Sequence, residues 1–330
     1  MSSLICGIDV GGANIKFCRS DGYTITKSFP LWKSKSSLPK VLAKIISTKN
    51  FQIIGVTMTG ELCDCFESKN EGIRFILNAI KKNSKKSIVW TTNQNFLQLE
   101  KAFQKPKICA ASNWLALAKF TSIRFPKGFG LSIDIGTTTT DITPIKMGKP
   151  VPIGKTDPER LKFGELVYTG IKRTPLSSFL GAGYAHEYFA TIADAHLLMN
   201  NLDEATVDTD TSDGRPFTKK NSLRRVAKML CADPSEISMK EIIKTSEIAI
   251  KSQVEWISTA IKSNVQRQNM EPEWVSISGS GEFLAKLAME NLPWNSKPTM
   301  NYFSEAFGKQ NSTAACAFSV MKLAGEYHAT

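Results

Sequence analysis

The chain has 330 residues, with 42 lysines and arginines against 30 aspartates and glutamates, for a formal charge of +12. This length supports two domains with large cores, and a hydrophobic content of 42% is that of a folded globular protein, not a disordered or fibrous one. The positive excess suits nucleic acid, an anionic membrane surface or acidic small molecules, but the basic residues are scattered. The exception, Lys81-Lys82-Asn83-Ser84-Lys85-Lys86, reads as a solvated helix end. No nucleic-acid-binding motif is evident and no apolar run approaches the length of a membrane span, so acidic small molecules are the expected partners. Met1-Ser2-Ser3 leads straight into a strand pattern without a signal peptide. The seven cysteines lack a disulfide-scaffold spacing, which with the missing signal peptide predicts a cytoplasmic protein. Cys6, Cys18 and Cys316 read as buried thiols, and Cys63-Asp64-Cys65 lacks the second pair that a metal site needs.

In chain order, residues 3–29 read as three strands turning at Gly11-Gly12 and Asp21-Gly22. Ser34 to Pro39 reads as a polar linker, and Lys40–Lys49 has helical spacing. Gln52–Thr59 is a predicted strand ending in Gly60-Glu61-Leu62, followed by a helix over Glu71–Lys82. Ser87–Thr91 and Lys107–Cys109 read as short strands. Ser112 is the expected N-cap of a helix over Ser112–Phe120. Phe125-Pro126-Lys127-Gly128 marks a domain boundary. The expected organisation is a first domain over 1–125, a second over 126–311 with an insertion at about 144–220, and a C-terminal helix over 312–330 that returns to the first. Within the insertion a helix is expected near Ala185–Asn200. Asp208 to Pro216 resembles the start of a calcium loop but lacks its terminal ligand. Helices are expected from about Ser222 to Cys231 and from Met239 to Asn269. Trp274–Ser278 is a strand running into Gly279-Ser280-Gly281 and a further helix.

Two stretches carry the chemistry. Leu131-Ser-Ile-Asp-Ile-Gly-Thr-Thr-Thr-Thr-Asp-Ile-Thr143 is a strand ending in Asp134, a turn at Gly136 and a second, β-branched strand. Its turn offers backbone N–H groups and hydroxyls to a phosphate, and Asp134 and Asp141 suit an accompanying divalent cation; the threonines also serve β-propensity. A second copy runs from Ile5 to Phe17, with Ile8-Asp9-Val10-Gly11 matching Ile133-Asp134-Ile135-Gly136. Duplication of strand, Asp, Gly turn and strand predicts two similar domains that face one ligand across a cleft.

The order of these hairpins, the strand–Gly-x-Gly–helix and the small-residue helix after Ser312 resembles the actin-like ATPase superfamily of sugar kinases, Hsp70 and actin. That resemblance implies an α/β, ribonuclease H-like fold of two domains around a cleft. Ile133 to Ile142 is similar to the hydantoinase/oxoprolinase branch. More narrowly, Gly11 to Lys16, Thr57 to Leu62, Ala111 to Leu115, Arg173 to Pro175, Ala193-Asp194 and Asp213 to Pro216 resemble proteins of tetrahydromethanopterin-linked one-carbon metabolism, including methanofuran biosynthesis. The resemblance implies a transferase that joins an aminomethylfuran diphosphate to a glutamylated tyramine- or tyrosine-like phenol and releases diphosphate. It implies Mg2+ at Asp9, Asp134 and Asp141. Phosphate contacts are expected from Gly11, Gly12, Asn14, Lys16, Gly136, Thr137, Thr138, Thr139, Gly279 and Gly281. Asp9 and Asp134 would act in catalysis, with Glu61 or Asp194 as the base beside the phenol and His186 and His196 flanking Asp194. Asn113 with Trp114 would line the pocket, and Arg173 and Arg215 would clamp an acidic substrate. ATP is compatible with the superfamily but not required by this reading. The alternatives are an ATP-dependent small-molecule kinase or amidohydrolase, with nucleotide at Gly279–Gly281, and a non-enzymatic actin-like protein. The oligomeric state is left open, a homodimer included.

Overall fold

The computed structural model describes residues 4–46 and 50–329. Met1–Ser3, where the first strand pattern begins, and the expected helix end at Ser47–Lys49 lie outside the described residues. β1 (Leu4–Val10), β2 (Asn14–Arg19) and β3 (Thr24–Ser28) form an antiparallel meander. β4 (Phe51–Met58) and β5 (Ser87–Trp90) extend it in parallel, and β6 (Phe96–Gln98) closes the edge, giving the order β3-β2-β1-β4-β5-β6. The second sheet repeats the plan. β7 (Phe129–Ile135) and β8 (Thr140–Lys146) form a hairpin, β9 (Lys149–Pro150) and β10 (Leu166–Val167) both pair with β8, and β11 (Trp274–Ser278) and β12 (Thr299–Tyr302) add in parallel beside β7. β1 and β7 are central strands, which is why they read as nearly unbroken apolar runs. Their C-terminal ends carry Asp9 and Asp134.

Two helices fill the space between the sheets. The helix Ala315–Ala329 lies on β1 and β4, and the helix Asn113–Arg124 packs on it while also touching β8 and β9. The first contact depends on missing side chains. A Cβ at Gly7 would sit 2.0 Å from the Ala317 carbonyl oxygen and 2.6 Å from the Met321 nitrogen, and one at Gly55 would sit 2.7 Å from Val320 Cγ1. Phe120, Phe303, Phe307 and Phe318 interlock beside this contact in tilted and edge-on pairs. A separate core, built from Leu176, Ile192, Val226, Ile242 and Ala249 among others, fastens the insertion to the first half of the helix Met239–Arg267. Among the described residues no helix is long and apolar enough to cross a membrane.

Several local expectations change. Ser34–Pro39 is not a linker but a 3-10 turn, Lys35–Ser37, running into the helix Leu38–Ile46. Lys107–Cys109 forms a 3-10 turn opened by Pro106, with only Ala110 bridging to Met58. β6 and the short helix Leu99–Gln104 were not expected. Ser112 precedes its helix without capping it; its Oγ donates to the Trp90 carbonyl at 3.2 Å instead. The expected helix Ala185–Asn200 is confined to Ile192–Leu198, because Thr191 and Asp194 form a capping box that starts it late.

Gly7→Ala must push a helix backbone, not a flexible side chain, off the central strand. We expect a loss of about 3 kcal/mol of unfolding free energy, measured by denaturant titration.

Candidate active site

Both Gly turns close in the same way. The Gly11 amide donates to the Asn14 carbonyl at 3.0 Å, and the Gly136 amide donates to the Thr139 carbonyl at 2.9 Å. Those two N–H groups are therefore not free for a ligand. The amides left without an acceptor among the described residues are those of Gly12, Ala13, Thr137, Thr138 and Thr139. Such runs of unsatisfied N–H groups bind anions. Each turn is pinned from behind. Leu31 donates its N–H to the Gly12 carbonyl at 2.8 Å, Ile171 to that of Gly136 at 3.0 Å, and Arg173 to that of Thr137 at 3.1 Å.

Below the turns lie three carboxylates and two cations. Asp9 stands opposite Lys16 in the β1–β2 register, and Asp134 opposite Asp141 in the β7–β8 register. Asp9 is 4% exposed, and its Oδ1 is buried without a donor. Burial lifts its pKa to about 6 against the opposing pull of Lys16 and Asn113. Burial also raises Asp134, although Lys16 attracts its charge and Ser278 Oγ donates to it at 2.6 Å. For Lys16, burial opposes the charge, but the attraction of Asp134 and Asp9 prevails and its pKa rises. Lys16 is thus coupled electrostatically to both carboxylates. Asp141 accepts from Arg160 at 2.8 Å, and the buried Arg160 guanidinium stacks 3.8 Å from the Trp114 ring. Trp114 is accordingly a core residue, whereas Asn113 reaches Asp9.

Glu61 is 1% exposed, and its Oε2 has no donor. Burial raises its pKa to about 7, with Lys69 Nζ 3.6 Å away pulling it down. Lys69 also reaches Asp157, at 3.9 Å, on the other side of the cleft.

Other expected residues are engaged elsewhere. Asp194 takes Arg225 at 2.7 Å and Ser222 at 2.7 Å on Oδ1, and the Thr191 amide on Oδ2. A buried carboxylate so saturated anchors a helix; it is not a base. His196 lies buried between Gln253 and Asn201, and burial lowers its pKa to about 4, so it stays neutral. His186 is exposed, and Arg215 is exposed in a surface turn beside Asp213. The amides of Gly279 and Gly281 donate to Ser312 and to the Ile135 carbonyl, and a Cβ at either residue would strike Ile135. These glycines let the turn pack under Asp134; their N–H groups do not face a phosphate.

The fit of a divalent cation rests on the orphaned Asp9 Oδ1, since a buried carboxylate oxygen without a donor lacks a positive partner. Among the described residues no group of three or more His, Cys, Asp or Glu is arranged to hold a metal. The donor set therefore suits an ion that keeps most of its waters and takes substrate phosphate oxygens, as Mg2+ does. Asp141, already paired with Arg160, is not free to ligate directly.

Two β-sheets with a shared plan, each ending in an Asp and an anion-binding turn, define a two-domain actin-like protein. The chain belongs to the hydantoinase/oxoprolinase family, which it matches over residues 52–308. It is 35% identical over 335 residues to the (4-{4-[2-(gamma-L-glutamylamino)ethyl]phenoxymethyl}furan-2-yl)methanamine synthase of Methanocaldococcus jannaschii, covering 98% of each chain. It is 36% identical over 212 residues to the enzyme of the same name from Methanococcus vannielii, covering 62% of this chain and 93% of that one. Among solved structures, nucleotide-free acetone carboxylase aligns over 96% of this chain and 69% of its own, with a TM-score of 0.55 at 10% identity, a likeness of fold.

A Cβ at Gly136 meets only the Thr139 carbonyl, at 3.7 Å. Gly136→Ala should therefore leave stability within about 1 kcal/mol while weakening diphosphate binding about tenfold, as read by calorimetry. Gly136 is not among the glycines with positive φ, so backbone strain adds nothing to this effect.

The raised pKa of Glu61 means that the folded protein holds this proton more tightly than the unfolded chain. Its stabilising contribution is complete below about pH 4.5 and is lost as pH rises through about 7. Glu61→Gln should accordingly stabilise the protein by about 2 kcal/mol at pH 8 and show little difference from the parent at pH 4. Denaturant melts across that range provide the check.

Proposed function

We propose that the protein is a furanylmethyl transferase, which joins an aminomethylfuran diphosphate to a phenol carrying a γ-glutamylaminoethyl chain and releases inorganic diphosphate. The observation that carries this reading is the pair of pinned turns with free amides above Asp9, Lys16 and Asp134, a site built for a polyanionic leaving group. The aryl furanylmethyl ether in the name of the two relatives supplies the identity of the joined groups. The partners under this reading are acidic small molecules, with no role for nucleic acid or a membrane.

In the step itself, the phenolic oxygen forms a bond to the furan CH2 carbon as the bond from that carbon to the diphosphate oxygen breaks. The furan ring shares the positive charge that develops on carbon. Negative charge grows on the diphosphate, where the amides of Gly12, Ala13, Thr137, Thr138 and Thr139 stabilise it. The threonine hydroxyls add donors. Mg2+, held by Asp9 with waters and substrate oxygens, would supply further neutralisation of the leaving group. Lys16 opposes the burial that raises Asp9 and Asp134. Glu61 is the one remaining carboxylate from the expected pair of bases. With a pKa near 7 and a free Oε2, it can take the phenol proton at neutral pH and pass it to water. Atoms and charge balance without ATP.

The test supplies both substrates with Mg2+ and no nucleotide. Mass spectrometry should find the ether, with one diphosphate released per product. The rate should climb through about pH 7 as Glu61 ionises, and Asp9→Asn should cut turnover about a hundredfold without loss of stability. Strict ATP dependence with release of ADP would replace this reading with the kinase or amidohydrolase alternative.

A further inference from the structure

Beside the two turns lies a residue pair that crosses the cleft and has no part in the chemistry described so far. Trp32 directly follows Leu31, whose amide pins the first turn, and Arg173 is itself the residue that pins the second. The Arg173 guanidinium lies 4.3 Å from the centroid of the Trp32 ring. Both side chains are partly buried. The neighbouring cation, Lys172, is neutralised by Asp208 at 2.7 Å and Asp210 at 3.4 Å. Arg173, by contrast, has no carboxylate within ion-pair distance and no hydrogen-bond acceptor for its guanidinium among the described residues. Its charge is felt by Cys63, two residues beyond Glu61, and by Tyr188.

Stacking uses only the face of a guanidinium. Its edge keeps N–H donors in a plane that matches a carboxylate bidentately. An arginine whose face is covered and whose edge is unpaired is therefore preset for an anionic group, and the exposed part of the Trp32 ring offers an apolar wall for an aromatic one.

We propose that Trp32 and Arg173 form the acceptor subsite: Trp32 flanks the phenol ring and Arg173 binds the carboxylate at the far end of the same molecule. This deepens the proposed function and rests on it for the acceptor's identity. It also gives Arg173 a different duty from the turn amides, which hold the diphosphate.

The experiment titrates the full-length protein, without donor substrate, with γ-glutamyltyramine, with tyramine and separately with inorganic diphosphate, by calorimetry and tryptophan fluorescence. The parent should bind γ-glutamyltyramine about tenfold more tightly than tyramine. Arg173→Ala should abolish that preference and Arg173→Lys should restore part of it. Trp32→Ala should weaken both phenols by a similar factor. All three variants should keep parental diphosphate affinity. If Arg173→Ala keeps the preference, or if it weakens diphosphate instead, the subsite is wrong even where ether synthesis proceeds. If the preference exists and depends on Arg173 while no ether forms, the subsite stands and the reaction assignment falls. A parent that binds neither phenol overturns both.

Discussion

Lys16 is the charge on which the centre of this molecule depends. It rises from the second strand of the first sheet and feels the charge of both Asp9, at the end of β1, and Asp134, at the end of β7. Burial disfavours the charge on both carboxylates, and Lys16 is the largest attraction that opposes it. Burial still raises the pKa of Asp9, and its Oδ1 is left without a donor.

The rest of the architecture serves to bring those strand ends together. The helix Ala315–Ala329 can lie on β1 and β4 only because Gly7 and Gly55 leave no side chain in its path. Through the helix Asn113–Arg124 this packing reaches the second sheet and also delivers Asn113 to Asp9. On the other flank, Glu61, Lys69, Asp157, Arg160 and Asp141 form a chain of alternating charges across the cleft. Its members are mostly spoken for, and so Glu61, with one unpartnered oxygen, is distinguished from carboxylates such as Asp194 that are merely buried.

Burial alone was thus a poor guide to function here. Asp194, His196 and Glu61 are all buried, but the first two are saturated by partners and only Glu61 retains capacity. The same test separates the anion site into used and unused amides. The amides of Gly11 and Gly136 close the turns, while those of Gly12, Ala13, Thr137, Thr138 and Thr139 are left without an acceptor among the described residues.

The duplicated strand–Asp–Gly-turn–strand was legible in the sequence because its causes are local: nearly unbroken apolar runs, β-branched strands and a Gly that closes a tight turn. Asp9, Lys16, Asp134 and the threonines could be picked out on that basis, and the order of elements identified the two-sheet plan. What the sequence could not show is which polar groups find partners. Asp194 meets Arg225 from 31 residues away, Arg160 sits on Trp114 from the other domain, and Ser312 takes the Gly279 amide. Arg173 was expected to clamp an acidic substrate, but nothing in the sequence pointed to Trp32; the two are distant in the chain, and only the fold brings the guanidinium over the ring. Local periodicity determines strands and turns. The spending of each charge and each N–H is settled by neighbours that only the tertiary fold supplies, since electrostatic and hydrogen-bonding energies depend on distance in space and not on separation along the chain.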